Sequence, residues 1–169
     1  MNSLSELLRI KAVAERLAFS QLASNNAAKM RRYGVHVLHG IDATCFDTLF
    51  SGIKFDNIVF QFPHSGSRES VEGRNPNYVL LRDFLAASKP VLARSGKILV
   101  TMVDTPFYRG VFQVDDAASE AGFSPPEAKP FDPGMFPGYT HTMTHEDGSA
   151  LEKYDSFVTW IFRKEGGRA

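Results

Sequence analysis

The chain has 169 residues, of which 43% are hydrophobic and 22% charged, a composition typical of one globular domain and unlike that of a disordered or fibrous chain. Lysine plus arginine and aspartate plus glutamate are equal at 19 each, so any contact with a nucleic acid must come from a local patch. One cysteine, Cys45, excludes an internal disulfide and favours a reducing compartment, and the sequence has no signal-peptide or membrane-span pattern. We predict a single domain over residues 1–169 that does not enter a membrane.

The first predicted element is a long helix. Ser3 and Glu6 have the spacing of a capping box, and leucines recur after them at three- and four-residue steps. The helical pattern extends through Arg32 and ends at Gly34, a suitable C-cap. The alternation in GVHVLHGID then predicts a strand over Val35–Ile41.

Two apolar strands and a helix follow. Phe55–Phe62 carries an Ile-Val-Phe run without alternation, which predicts a strand buried on both faces. Asn75-Pro76 marks the start of a helix that runs toward Leu92, with a kink at Pro90. The apolar segment KILVTMV predicts a third strand over Lys97–Val103.

The last third of the chain contains a helix, a long loop and a strand. The helix is predicted from about Gly110 to Ala121, and the loop after it is interrupted by a short strand near Lys129. The final strand is predicted over Tyr154–Phe162. Because strands alternate with helices, we expect an α/β fold with a mostly parallel sheet and helices on both faces.

Polar residues follow three of the predicted strands. In an open α/β sheet, ligands bind outside the carboxyl ends of the strands. The residues that we expect at this edge are Asp42–Thr44, Gln61–Ser65 and Asp104–Phe107. The sequence therefore predicts a binding site where these three strand ends meet.

Five segments carry a family resemblance: GVHVLHGIDAT, FDNIVFQFPHSG, NYVLLRDFL, GKILVTM and PFDPGMFPGYTHTMT. Together, from about Asn2 to Phe162, they resemble the eukaryotic large-subunit ribosomal RNA uridine-N3 methyltransferases and their relatives. The resemblance implies a Rossmann-like class I methyltransferase fold that uses S-adenosylmethionine to methylate N3 of a uracil base in ribosomal RNA. It also implies a nucleolar protein if the source is eukaryotic and a cytoplasmic one if it is bacterial.

The resemblance assigns roles to individual residues. Asp42, whose carboxylate would accept a hydrogen bond from the adenine amine, Ala43 and Phe60 are implied to bind the cofactor. Gln61-Phe62-Pro63-His64 matches the family's Asn-Phe-Pro-His, which implies catalytic roles for Gln61 and His64. The residues implied to contact the substrate are Phe62, Pro63, Asn77, Tyr139 and His141.

The chemistry of this reaction explains why such side chains are suitable. Methyl transfer from a sulfonium is an in-line displacement, so the protein must mainly hold donor and acceptor in line. Uracil N3 carries a proton, and a nearby base contributes about 10²–10⁴-fold to its removal. His64 is the candidate base because imidazole titrates near neutrality. Gln61 would hydrogen-bond the uracil edge while Phe62 or Tyr139 stacks on its face.

The sequence departs from the family pattern at two places. The family begins with a strand and a turn, Gly-Glu-Gly-Asn/Asp-Phe-Ser, that surrounds the methionine end of the cofactor, followed by a second strand, whereas Asn2-Ser3 aligns just after that second strand. We therefore expect an N-terminally truncated sheet without the first two strands and with an exposed edge that favours a homo-oligomer. An internal start codon at Met1 would give the same pattern. The second departure is His141-Thr142-Met143-Thr144 in place of His-Arg-Arg-Thr, which removes two phosphate contacts.

Each candidate residue also has a simpler interpretation. Asp42 could cap the turn after a strand, His64 could be a loop histidine bonded to the backbone, and Gln61 could be a solvated amide. His141 and His145 have a spacing that suits a metal on a helix, but the prolines and glycines around them favour a loop, so we predict no metal site.

Two alternatives concern larger features. Lys29, Arg31 and Arg32 form a basic cluster that could contact phosphate, or could be a solvated helix end favourably placed against the helix dipole. The whole chain could also be a noncatalytic α/β module that binds RNA or a protein partner without a cofactor. Calorimetry with S-adenosylmethionine separates this module from the enzyme.

Overall fold

The computed structural model describes residues 21–137 and 156–166. Its four-stranded sheet has the order β1-β2-β4-β3, with β1 at Phe55–Gln61, β2 at Leu92–Val103, β3 at Glu127–Pro130 and β4 at Phe157–Arg163. The α/β class is confirmed, and so are the strand near Lys129 and the final strand. The expectation of a mostly parallel sheet is wrong, because β1 and β2 are parallel but β4 runs antiparallel to both of its neighbours. β3 ends beside the start of β4, as strands of an antiparallel pair do.

The helices of the described residues are α1 at Gln21–Arg32, α2 at Phe46–Leu49, α3 at Pro76–Ser88, α4 at Pro106–Phe112 and α5 at Val114–Glu120, with 3₁₀ turns at Ala43–Cys45 and Pro133–Met135. The helix predicted up to Arg32 is confirmed from Gln21 onward, and its earlier part lies outside the described residues. None of the described helices combines the length and hydrophobicity that a membrane crossing requires.

The core lies between α3 and one face of the sheet. Sheet register places apolar side chains in rows on this face, namely Ile58 beside Ile98 and Phe162, and Phe60 beside Val100 and Trp160. The ring of Phe84 in α3 packs on Phe60 with its centroid 4.4 Å away. Leu85 is fully buried, and burial of one such side chain stabilises the fold by roughly 1.5–3 kcal/mol. The core thus fixes α3 across the strands that lead to the predicted site.

The sequence predicted the start of α3 correctly but not its end. Asn75 caps the helix by accepting a hydrogen bond from the Asn77 N–H, and Pro76 occupies the first turn. The helix ends at Ser88, so Pro90 follows it instead of kinking it. β2 then begins at Leu92, earlier than predicted, because Leu92 already pairs with Phe55 before an irregularity in the register.

Gly96 allows that irregularity. A Cβ atom at this position would lie 2.9 Å from Leu92 Cδ1 and 3.0 Å from the carbonyl oxygens of Phe55 and Asp56. Two of these atoms belong to the backbone of β1, which cannot move without breaking the sheet. Glycine is therefore required where the two parallel strands approach each other.

Two further predictions are wrong. Val35–Ile41 forms no strand; its side chains are largely exposed, and the carbonyl of Val37 accepts a hydrogen bond from the Arg31 guanidinium, not from a neighbouring strand. β1 is not buried on both faces, because it is an edge of the described sheet and Val59 is 55% exposed on the face away from α3. Helical cover of both faces stays a prediction, because the helix predicted before Gln21 lies outside the described residues.

The helix predicted from Gly110 to Ala121 is also interrupted. It divides into α4 and α5 at Gln113, whose φ of +42° lies in the left-handed region. The periodicity of the apolar residues continues across this break, which is why the sequence indicated a single helix.

Candidate functional site

The carboxyl ends of β1 and β2 meet at one edge of the sheet, as the sequence predicted, whereas the third predicted strand end, Asp42–Thr44, follows no strand. Gln61, the last residue of β1, is exposed and pairs with Thr101 of β2. The next residue, Phe62, extends the ladder by donating its N–H to the carbonyl of Thr101 over 2.8 Å. Asp104 follows β2 at the same edge, where its backbone N–H donates to the carbonyl of Ser156 before β4. The strand ends therefore surround one region of the surface.

Phe62 changes the direction of the chain at this edge. Its φ of +50° is in the left-handed region, which costs a residue with a Cβ about 1–2 kcal/mol. The turn buries Pro63 and leaves His64 exposed. Such conformations persist where the surrounding structure determines them, and they cluster at functional sites.

Aromatic rings surround Phe62. Phe157 and Phe131 contact it edge to face, with centroids 5.5 Å and 6.1 Å away. Phe136 stacks on Phe131 at 5.4 Å with an angle of 18° between the rings, and 52% of its surface is exposed. Edge-to-face pairs contribute about 0.5–1.5 kcal/mol each, so the cluster stabilises the turn and also presents aromatic surface beside it.

Asn77 fixes the loop that follows the turn. Its side chain is only 6% exposed, and its Oδ1 accepts a hydrogen bond from the N–H of Ser65 over 2.9 Å. The backbone N–H of Asn77 donates to Asn75 Oδ1, also at 2.9 Å, so the start of α3 and the loop are joined through one side chain. Asn77 thus holds the backbone next to His64.

The hydrogen bond of His64 determines which ring nitrogen carries the proton. Nδ1 accepts a hydrogen bond from the backbone N–H of Gly66 over 2.9 Å. In the neutral imidazole the other nitrogen, Nε2, must then bear the proton and act as a donor. The loop-histidine interpretation and an active role are both compatible with this bond.

The three residues expected to bind the cofactor have different environments, one polar and two in the core. Asp42 caps the 3₁₀ turn, and its Oδ1 accepts hydrogen bonds from Thr44 N at 3.0 Å and Thr44 Oγ1 at 2.6 Å. Asp42 Oδ2 accepts no hydrogen bond from the described residues, so it is compatible with an adenine amine. Ala43 is buried and Phe60 packs on Phe84, so both side chains belong to the core.

Two predicted substrate residues, Tyr139 and His141, lie outside the described residues, as does the His141 and His145 pair. In the part of the chain that the structure describes, no group of three or more His, Cys, Asp or Glu side chains is placed to hold a metal ion. Asp104 instead pairs with Arg109, whose Nε and Nη2 both lie 2.7 Å from Asp104 Oδ1. This ion pair connects the end of β2 to α4.

The aromatic cluster was not predicted as a unit. Phenylalanine is usually a core residue, so composition gave no reason to expect Phe136 and Phe107 on the surface, where they are 52% and 69% exposed. The available signal was Phe131-Asp132-Pro133, a turn in which Asp132 Oδ1 accepts a hydrogen bond from the Gly134 N–H at 2.8 Å. This turn directs Phe131 and Phe136 toward the end of β1.

The sheet, with a polar turn at the carboxyl end of β1, has the arrangement in which α/β proteins bind ligands at strand ends. The chain belongs to the BMT5-like family, described as rRNA (uridine-N3-)-methyltransferase BTM5-like, which matches residues 11–143. The family resemblance in the sequence is thereby confirmed.

Two relatives illustrate how much of a longer protein the chain represents. It is 35% identical over 86 residues to an uncharacterized protein of Arabidopsis thaliana, a match that covers 47% of this chain and 41% of the relative. It is 31% identical over 133 residues to the ferredoxin-fold anticodon-binding domain-containing protein 1 homolog of Mus musculus, covering 72% of this chain and 21% of the relative. The chain therefore spans less than half the length of both relatives.

Proposed function

We propose that the chain methylates N3 of a uracil base in ribosomal RNA with S-adenosylmethionine as the methyl donor, and that the turn Gln61–His64 holds the base. The observation that carries this proposal is the left-handed backbone of Phe62 at the carboxyl end of β1, surrounded by aromatic rings. The family description supports the reaction class. Flipped or unpaired bases are held by stacking and by hydrogen bonds to their edge, and this turn offers both.

Gln61 would orient the base. Its exposed amide carries both donors and an acceptor, and the reacting edge of uracil presents N3–H between two carbonyl oxygens. Donation from the amide nitrogen to one of these carbonyls leaves N3 open to the methyl group. The faces of Phe62 or Phe136 would then set the plane of the ring.

His64 would assist the loss of the N3 proton. The sequence predicts a base, but a base role for Nε2 requires that this nitrogen has no proton, and the hydrogen bond from Gly66 to Nδ1 favours the opposite tautomer. The tautomer in this bond suits donation from Nε2–H to a uracil carbonyl. A donor at that oxygen stabilises the negative charge that spreads over the ring when the N3 proton leaves for solvent.

S-adenosylmethionine, when bound, supplies a methyl group on a positively charged sulfur. Of the three residues expected to hold it, Asp42 contributes a polar side chain, through Oδ2. Ala43 and Phe60 contribute the packed core behind the 3₁₀ turn and β1. Because one of these three residues offers a polar group to the cofactor, the second candidate function is a noncatalytic module that binds RNA or a protein.

The test is methylation of a uridine-containing ribosomal RNA fragment, with 3-methyluridine measured by mass spectrometry. Gln61→Ala and His64→Ala should each lower kcat by about 10²-fold, whereas Asn57→Ala, an exposed amide on the same strand, should leave it unchanged. His64→Asn keeps a donor and should retain most of the activity. Activity as low as that of His64→Ala would instead favour the base role.

A wild-type chain that forms no 3-methyluridine would contradict the enzyme. Calorimetry then identifies the second candidate: binding of RNA without heat from S-adenosylmethionine would support a noncatalytic module.

A further inference from the structure

The carboxyl-terminal end of α1 carries a concentrated positive charge. We call this surface the α1 basic end, formed by Lys29, Arg31, Arg32 and Tyr33, all of which are exposed. No Asp or Glu occurs between Glu15 and Asp42, and in the described ranges none of the three cations is in an ion pair. In a chain of zero net charge, this segregation creates the local patch that contact with a polyanion requires.

Hydrogen bonds close the backbone at the α1 basic end. Gly34, at φ +79°, closes the helix: its N–H donates to the carbonyl of Arg31 at 3.0 Å, and the N–H of Val35 donates to that of Met30 at 3.1 Å. This pair of bonds is a Schellman motif. Arg31 Nη2 also donates to the carbonyl of Val37 at 3.2 Å. These hydrogen bonds define the backbone conformation that carries the cations, and a preformed backbone lowers the entropic cost of binding.

The helix dipole does not account for this arrangement. The end of a helix carries about half a negative charge, so three cations leave a clear positive excess. Arg31 donates to a main-chain carbonyl oxygen, as Lys54, Lys89 and Lys164 do, whereas Lys29 and Arg32 make no such bond with the described residues. The dipole also gives no reason for an exposed aromatic ring beside the cations.

Tyr33 is that ring. It is 77% exposed and makes no ring contact with the described residues. With Lys29 and Arg32 it lines a surface pocket of about 590 Å³, together with Asn25 and Ala28. A positive groove beside an aromatic side chain is the arrangement with which proteins bind single-stranded nucleic acid, through phosphates and base stacking.

We propose that the α1 basic end binds single-stranded RNA, with Lys29, Arg31 and Arg32 contacting phosphates and Tyr33 stacking on a base. The inference rests on the proposed function for the choice of RNA as the polyanion. It assigns an RNA contact to a surface separate from the turn Gln61–His64. The charge that binds the backbone and the turn that selects the base would then be different parts of the chain.

Fluorescence anisotropy with a labelled single-stranded RNA of about 12 nucleotides tests the proposal across a series of salt concentrations. The triple variant Lys29→Gln, Arg31→Gln, Arg32→Gln should lower the slope of log K against log salt by about 2, at about 0.7 for each lost phosphate contact. Its Kd should rise roughly 10- to 100-fold at 0.1 M salt. The matched control Arg94→Gln, Lys97→Gln, Lys129→Gln removes the same charge elsewhere and should change the slope little. Equal losses in both variants, or no measurable binding by the wild type, would overturn the proposal.

Tyr33 provides a second test that does not change the charge. Tyr33→Ala should weaken binding about 5- to 100-fold and Tyr33→Phe should not, because stacking needs the ring but not the hydroxyl. Stronger binding of duplex RNA than of the single strand would contradict the proposal. Circular dichroism checks that α1 remains folded in each variant. The double variant Arg31→Lys, Arg32→Lys keeps the charge and should therefore keep the salt slope of the wild type. Wild-type protein that binds RNA at the α1 basic end but forms no 3-methyluridine would refute the proposed function and leave this inference standing.

Discussion

Phe62 combines a costly backbone conformation with a packed aromatic ring, and two substitutions separate these contributions. Phe62→Ala loses the contacts to Phe131 and Phe157 and keeps the left-handed φ, so we expect the free energy of unfolding to fall by about 1–3 kcal/mol. Phe62→Gly loses the same ring but adopts this φ without steric cost, so it should be about 0.5–1 kcal/mol more stable than the alanine variant. Urea denaturation measures both. An alanine variant at least as stable as the glycine variant would show that residue 62 is not held at positive φ.

Asn77 should affect activity through the loop and not through the substrate. Asn77→Ala leaves the partly buried N–H of Ser65 without its acceptor, which costs about 1–2 kcal/mol and loosens the backbone beside His64. Asn77→Asp keeps an acceptor of the same shape at the start of α3, where a negative charge is favourable. We expect the alanine variant to lower kcat with little change in Kd for RNA, and the aspartate variant to behave like the wild type. Equal damage by both variants would contradict a role as hydrogen-bond acceptor.

Among the helices and strands, the sequence predicted correctly those whose formation depends on neighbouring residues. The start of α3 depends on neighbouring residues, Asn75 and Pro76, and these were sufficient. A strand over Val35–Ile41 needed a neighbouring strand as a partner, which an alternating pattern does not reveal. The meeting of Gln61 and Asp104 at one edge followed from a general rule for α/β sheets. The exposure of Phe136 did not, because it depends on a turn that places an apolar ring outside the core.

Gln113 separates α4 from α5 by a left-handed residue, and glycine should suit this position better. Its side chain is exposed, and its backbone N–H still donates to the carbonyl of Arg109 at 3.0 Å. Gln113→Gly should therefore raise stability by about 0.5–1 kcal/mol, or about 1–4 °C in Tm. Ser119→Gly, inside α5, should lower stability by a similar amount because glycine is unfavourable in a regular helix. Calorimetry should give a higher Tm for Gln113→Gly and a lower Tm for Ser119→Gly than for the wild type. A lower Tm for both variants would contradict the interpretation of Gln113.

Charge and hydrophobic exposure are unevenly distributed over the whole molecule. The α1 basic end concentrates positive charge, whereas β1 presents an uncharged central stretch, Asn57–Gln61, along an edge of the described sheet. Natural edge strands are commonly protected by lysine or proline, and neither occurs within β1. Zero net charge also means that two copies of the chain do not repel each other at long range. These conditions favour pairing of β1 with β1 of a second copy.

We therefore expect the chain to form dimers through this edge, as the sequence analysis predicted. Val59→Lys places a charge in the middle of the edge and should shift the sedimentation-velocity distribution toward monomer at the same concentration, without loss of thermal stability. Leu49→Lys is the matched control, since Leu49 is 49% exposed, lies outside the strand and gives the same change in charge. If the second copy binds at β1, the Leu49→Lys variant should remain a dimer. Wild-type protein that sediments as a monomer at high concentration, or equal dissociation of both variants, would show that β1 is not the contact.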